Sequence, residues 1–276
     1  MSSVTPQTPD AAWRPPQATA LPARTQLAQL RELVTHLVVR ELTVTHRSTL
    51  LGWTWPLARQ LAQLGILVLI FGHVVNLRIH HYAVFVFSGL VLWTWFSNGL
   101  GAACSSVISR RHLVFQPRCP TVILPVVAVA VPLVDVLIAL PFLIVMLLAS
   151  GTFHLTIVVL PALIVVQFLL MVGAGWITAA LSVYLRDVPH IVSVLLLTLF
   201  YGTPVFFSIT RVPHRFHALL YANPIGTLIE SYRALILGSP FPPVAAFAAT
   251  AAVSILLTVL GLWFFRALEG GFVDEL

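Results

Sequence analysis

From Leu57 to the C-terminus the chain alternates long apolar runs with short polar joints. The runs extend from Leu57 to Val75, Tyr82 to Val107, Thr121 to Phe153, Leu155 to Leu185, Val188 to Thr210 and Phe241 to Phe265. Nearly every charge in this stretch falls at a joint, and only Arg59, early in the first run, and Asp135, within the third, break the pattern. A bilayer core about 30 Å thick is crossed by roughly 20 apolar residues of helix. The pattern therefore predicts an all-α membrane protein whose six transmembrane helices occupy residues 56–276.

The preceding residues differ in kind. Residues 1–24 carry Pro6, Pro9, Pro15, Pro16 and Pro22 among Ser, Thr, Gln and Ala, a composition with no continuous helix and no apolar face to bury, and so predict a disordered cytoplasmic tail. No basic segment leads into an apolar core and a small-residue cleavage site, as a signal peptide would require. Within residues 25–55, Leu27, Leu30, Val34, Leu37 and Val38 fall on one helical face, with Gln29, Glu32, His36, Arg40, Thr43 and Arg47 largely away from it. This predicts an amphipathic helix lying in the membrane interface. The alternative, a helix packed on a soluble domain, lacks a domain of useful size to pack on.

The segment from Arg211 to Pro240 is long and half-polar, and its apolar pieces, Ala218 to Tyr221 and Ile225 to Ile229, are too short to cross. They predict re-entrant or interfacial helices on the external face between spans five and six. Arginine sets the orientation. Arg40, Arg47, Arg59, Arg110, Arg111, Arg118, Arg186 and Arg266 lie on the N-terminal side, against Arg78, Arg211, Arg215 and Arg233 on the other. That bias predicts a multi-pass protein of the cytoplasmic membrane with both termini inside.

Composition narrows the chemistry. With 59% hydrophobic and 9% charged residues, the chain could not cover a water-soluble fold of 276 residues, and its net charge of +6 carries no argument for nucleic acid. All basic residues are arginine, so the chain has no lysine for a Walker A phosphate loop or a Schiff base. If ATP is used, another chain binds it. Cys104 and Cys119 form no CxxC pair. The histidine pairs His80-His81 and His214 with His217 sit in external joints without the neighbours a metal site needs, so no metal is expected. No Ser/His/Asp set or paired carboxylates suggest catalysis. Asp135 is either a functional intramembrane acid or a hydrogen-bonded residue holding two helices together; its surroundings include Pro125, Pro132 and Pro141.

The string from Thr45 to Pro56 (THRSTLLGWTWP), followed by Phe71-Gly72, resembles the entry segment of type-2 ABC exporter permeases for polysaccharides and polyol phosphates (O-antigen, teichoic acid, galactan). Ser88-Gly89-Leu90 with Trp93 and Phe96-Ser97 is similar to that family's second span, and Leu113 to Pro125 (LVFQPRCPTVILP) to its first large cytoplasmic joint. Tyr184-Leu185-Arg186-Asp187-Val188, Pro204-Val205 and Asn223-Pro224 with Tyr232-Arg233 resemble the second half. The family usually carries lysines in the Leu113 joint, where this chain has His112, Gln116 and Arg118.

The resemblance implies a permease that works as a homodimer with two copies of a separate nucleotide-binding ATPase, exporting a lipid-linked polysaccharide across the cytoplasmic membrane. No cofactor is then expected in this chain, with ATP and Mg on the partner. Arg110, Arg111, His112, Arg118, Arg186 and Asp187 become candidates for ATPase coupling, although Arg186-Asp187 also reads as a structural stop at a span end. Trp93, Trp95, Phe96, Tyr201, Phe206, Phe207 and Tyr221 are either interfacial anchors or, by the resemblance, channel-lining rings that stack on sugars. Export of a drug or simple lipid, and a membrane-embedded glycosyl- or acyltransferase, are the competing readings.

Overall fold

The computed structural model describes residues 35–43, 54–75, 79–115, 120–151 and 159–276. The tail 1–24, most of the expected amphipathic helix, Trp53 and Arg118 lie outside them. The described residues form helices without a strand: α1 (35–43), α2 (Trp55–Leu67), α3 (Tyr82–Ser109), α4 (Arg111–Val114), α5 (Ile123–Ala130), α6 (Leu133–Ser150), α7 (Leu160–Tyr184), α8 (Val188–Gly202), α9 (His217–Ala222), α10 (Pro224–Leu237), α11 (Val244–Glu269) and α12 (Phe272–Glu275).

Helix α3 is the axis of the bundle, with α2, α5, α6, α7, α8 and α10 packed around it. Within its most apolar stretch 78% of residues are buried, against 11% for the first span and 17% for α11. The outer faces of those two are therefore left to lipid or to another chain. The most extensive pairing is α7 with α11, where Gly173 and Gly261 meet backbone to backbone and a Cβ on either would overlap the other helix. Small residues permit this approach, which dispersion rewards where apolar burial from water cannot.

Among the described residues five helical segments are long and apolar enough to cross a membrane: Trp55–Val74, Tyr82–Ser109, Ile123–Ser150, Leu160–Tyr184 and Val244–Glu269. Two of them are irregular. The first widens into a π-helix over Val68–Val74, and the third breaks at Val131-Pro132, because proline has no N–H to continue the ladder. Trp95 donates its indole N–H to the Val129 carbonyl beside that break at 3.1 Å.

The fifth run departs from expectation. It is helical for 15 residues only, and the chain from Thr203 to Ser208 is irregular where a helix to Thr210 was expected. Pro204 is the cause: it disfavours helical geometry in the residue before it, and Thr203 is extended, with ψ of 141°. A helix of 15 residues is about 22 Å long.

Polar side chains join the helices. Gln167 Nε2 donates to the Leu92 carbonyl at 3.1 Å, Trp176 Nε1 to Val122 at 2.9 Å, Ser182 Oγ to Cys104 at 2.6 Å and Thr258 Oγ1 to Leu169 at 3.0 Å.

The two expected short pieces between α8 and α11 are helices α9 and α10. Asn223 caps α10 by accepting from the N–H groups of Ile225 and Gly226, Pro224 supplies its preset φ at the first turn, and Gly238 ends the helix in the left-handed region (φ 67°). Helix α10 packs on α3, α7 and α11.

That packing corrects the reading of Arg233. Counted above among external charges, it is completely buried. Its guanidinium donates to the carbonyls of Pro204, Val205 and Phe85, pairs with Glu230 at 2.9 Å and lies 3.6 Å from the Phe85 ring centroid. Gly89 makes room for it, since a Cβ there would stand 2.6 Å from Nη2. Arg233 thus ties the irregular segment after α8 to the start of α3. Burial pushes the Glu230 carboxyl above its ordinary range, and Arg233 opposes the shift.

Candidate functional site

The two charges that interrupt the apolar runs come together. Arg59 and Asp135 line one cavity of about 210 Å³ with Pro56, Thr94, Asn98 and Pro132. The fold brings α2 and α6 to the same face of α3, so that the intramembrane acid and this arginine border the same space. A second cavity of about 390 Å³ shares Arg59, Thr94 and Asn98 and continues past Gln63, Ser97 and Trp93 to Phe200 and Tyr201 on α8. The two make a polar and aromatic groove along α2, α3 and α8. The Thr94 hydroxyl donates to Leu90 and that of Ser97 to its own helix at Thr94, which leaves oxygen lone pairs free to accept.

Aromatic rings run beside the groove. Trp93 lies 5.5 Å from Phe96 and 5.6 Å from Phe200, Phe200 is 5.4 Å from Tyr201 and 5.8 Å from Phe206, and Phe206 packs on Phe71 at 4.9 Å and Phe207 at 5.3 Å. Such offset and tilted contacts stabilise ring clusters by about 1 kcal/mol per pair.

Of the expected channel rings, Tyr201 is 63% exposed, while Trp93 and Phe96 are buried in this chain at 5% and 6%. Phe206 and Phe207 are half-buried. Trp95 points the other way, into the protomer, where it is 1% exposed. Tyr221, half-buried on α9, stands apart beside His217 at 6.3 Å.

The opposite end of α3 gathers most of the coupling candidates. Arg110 pairs with Glu41 of α1 at 2.9 Å, and these two with Leu37, Arg40, Ser109, His112 and Leu113 line a cavity of about 200 Å³. Arg111 and Arg186 share another cavity, of about 520 Å³, with Ile108, Ser182, Glu275 and Leu276. Asp187 is exposed at the start of α8. Phe272 anchors the C-terminal helix here, fully buried against Phe265 and 6.2 Å from Tyr184, whose hydroxyl donates to Leu268 at 2.9 Å. Helices α1, α4 and α12 therefore meet at one end of the bundle, and α9 and α10 lie at the other.

Sequence reasoning passed over Glu41, Gln63, Thr94, Asn98, Phe200, Glu230 and Glu275. A signal existed for some of them: Arg59 with Gln63, and Thr94 with Asn98, are polar pairs four residues apart in apolar helices and so share a face. Nothing local marked Glu41 as the partner of Arg110.

Comparison with known proteins agrees with this architecture. The chain is 32% identical over 237 residues to the O-antigen export system permease protein RfbA of Myxococcus xanthus, covering 84% of this chain and 90% of that protein. Two Klebsiella pneumoniae proteins of the same name are 27% and 24% identical, covering 91% and 93% of this chain and 97% and 100% of their own lengths. The ABC-2 type transporter signature matches residues 32–237, the span that holds α1, the arginine end of α3, the groove and α10. This multi-pass membrane protein belongs to the ABC-2 type transporter family.

Proposed function

We propose that this chain is the permease subunit of an ABC exporter for a lipid-linked polysaccharide such as an O-antigen, in the cytoplasmic membrane with both termini inside. The relatives' names and coverage support that cargo. Family membership implies a membrane and an ATPase partner; in our reading two such subunits, carrying ATP and Mg, dock against α1, α4 and α12. Helix α8 with the segment after it makes the sixth crossing. In our reading residues 56–276 make up the transmembrane domain.

The observation that carries this reading is the groove of Arg59, Gln63, Thr94, Asn98, Trp93 and Tyr201 on the sparsely buried α2 side. Two copies meeting across that face would enclose a path whose rings stack on sugar C–H faces while its polar side chains meet hydroxyls. This chain supplies the path, and ATP closure of the partner pair moves the helices through α4 and α1.

Co-expression with a P-loop ATPase in a strain lacking its own O-antigen exporter tests this. We expect surface polysaccharide to be restored, ATP hydrolysis only in the assembled complex, and Thr94→Leu/Asn98→Leu to abolish export while the complex still assembles. ATP hydrolysis by the purified chain alone would overturn the division of labour, and export of a drug or simple lipid without polysaccharide would overturn the cargo.

A further inference from the structure

On the side of α3 away from the groove, a cavity of about 230 Å³ opens between α3, α6, α7 and α10, lined by Ser88, Leu92, Trp95, Leu143, Ile164 and Tyr232 among others. Its walls are almost wholly apolar: Ser88 Oγ donates to the Phe85 carbonyl at 2.9 Å, and the Trp95 indole N–H is taken by Val129. One polar group breaks this rule. Tyr232 lines the cavity, is 1% exposed, and its hydroxyl is buried without a hydrogen-bond partner among the described residues. An unsatisfied buried hydroxyl is costly and calls for an explanation.

The medium outside the cavity identifies its occupant. Leu137, Ile144, Val145 and Leu148 of α6 and Val165 of α7 are all at least 40% exposed and apolar, so this face meets hydrocarbon. An apolar cavity of about 150 Å³ already takes up benzene, and this one is larger. It lies in the half of the bundle next to α10, remote from Arg110.

We propose that this cavity holds one acyl chain of a bilayer phospholipid, with the Tyr232 hydroxyl donating to the lipid's ester carbonyl. The site is distinct from the transport groove, across α3 from it, and does not depend on what the groove carries. A resident chain would fill the void between α6 and α7 and would satisfy the orphaned Tyr232 hydroxyl.

The full-length chain in phosphatidylethanolamine–phosphatidylglycerol vesicles, doped with a phosphatidylethanolamine carrying a diazirine on its acyl chain, tests this by photolabelling and peptide mapping. We expect saturable adducts on Leu143 and Ile164, displaced by excess unlabelled phospholipid. Leu143→Trp should abolish them, and Tyr232→Phe should weaken displacement about fivefold, the loss of one hydrogen bond. Ile164→Phe is a second filling variant should Leu143→Trp not fold. Adducts spread evenly onto exposed positions such as Val145, or unchanged in the folded variants, would overturn the site. Displacement by a polyprenyl phosphate but not by phospholipid would overturn the occupant. If neither filling variant folds, saturation and displacement in the wild-type protein decide the outcome.

Discussion

Arg110, at the end of α3, reaches Glu41 of α1 at 2.9 Å, with the arginine side chain 16% exposed and the glutamate 41%. An ion pair this open contributes at most about 1 kcal/mol to stability. Its value is positional, since it holds α1 against the short α4 joint.

Glu41→Gln should therefore leave expression and thermal stability within about 0.5 kcal/mol of wild type but lower transport-coupled ATP hydrolysis in the assembled complex. Arg110→Lys, which keeps the charge for a single contact, should be mild. Arg111, exposed in the cavity with Arg186, is the better candidate for forked contacts to a partner carboxylate, and Arg111→Lys should reduce coupling without changing insertion. Equal ATP turnover in Glu41→Gln and wild type would remove the latch from the mechanism.

Arg233→Met removes a donor from the Glu230 carboxylate and from the carbonyls of Pro204, Val205 and Phe85. Loss of one partner from a buried pair costs about 3–5 kcal/mol, so thermal unfolding in detergent should fall well below wild type. Gly89→Ala presses on the same guanidinium and should shift the transition in the same direction. A transition unchanged in both would mean that the segment after α8 is held by something else.

The two tryptophans on α3 separate packing from transport. Trp95→Phe removes the donor from the Val129 carbonyl and should cost about 1–3 kcal/mol of stability with export per folded molecule unchanged. Trp93→Phe, beside the groove, keeps a ring in this buried position and should reduce export more than stability. The comparison requires export assays normalised to folded protein, and reversed effects would exchange the roles.

Gly261→Ala would drive a Cβ into the backbone of Gly173. Rigid backbone cannot yield as a side chain can, so α7 and α11 must separate and the protein should fail to accumulate. Gly101→Ala, whose Cβ would meet nothing within 4 Å, should be tolerated. Equal accumulation of the two, judged by fluorescence-detected gel filtration, would refute the close crossing.

Orientation is tested by cysteines in a background lacking Cys104 and Cys119. Asp274→Cys, exposed beside the C-terminus, should be shielded from impermeant thiol reagents in intact cells, and Ala218→Cys, exposed on α9, should be labelled. Gly271 is a poor position for this probe, because a side chain there would press on the Tyr184 hydroxyl at 2.5 Å. Labelling of Asp274→Cys would place the C-terminus outside.

The sequence by itself determined the all-α membrane class, the positions of the long spans and the two short helices before α11. These follow from solvent transfer and local backbone rules, which act residue by residue: apolar runs seek hydrocarbon, and Pro and Gly punctuate helices. The resemblance carried by Thr45 to Pro56 and Asn223-Pro224 anticipated the family for the same reason, because those strings are local. Tertiary structure alone decided which charges face each other. Arg233 reads as an external charge until α10 folds onto α3, Asp135 and Arg59 border one cavity only when α2 and α6 take the same side of α3, and Trp93 and Trp95, two residues apart on one helix, are sent to opposite sides by it. Those outcomes depend on helix rotation and on partners 28 to 148 residues away, which no local pattern encodes.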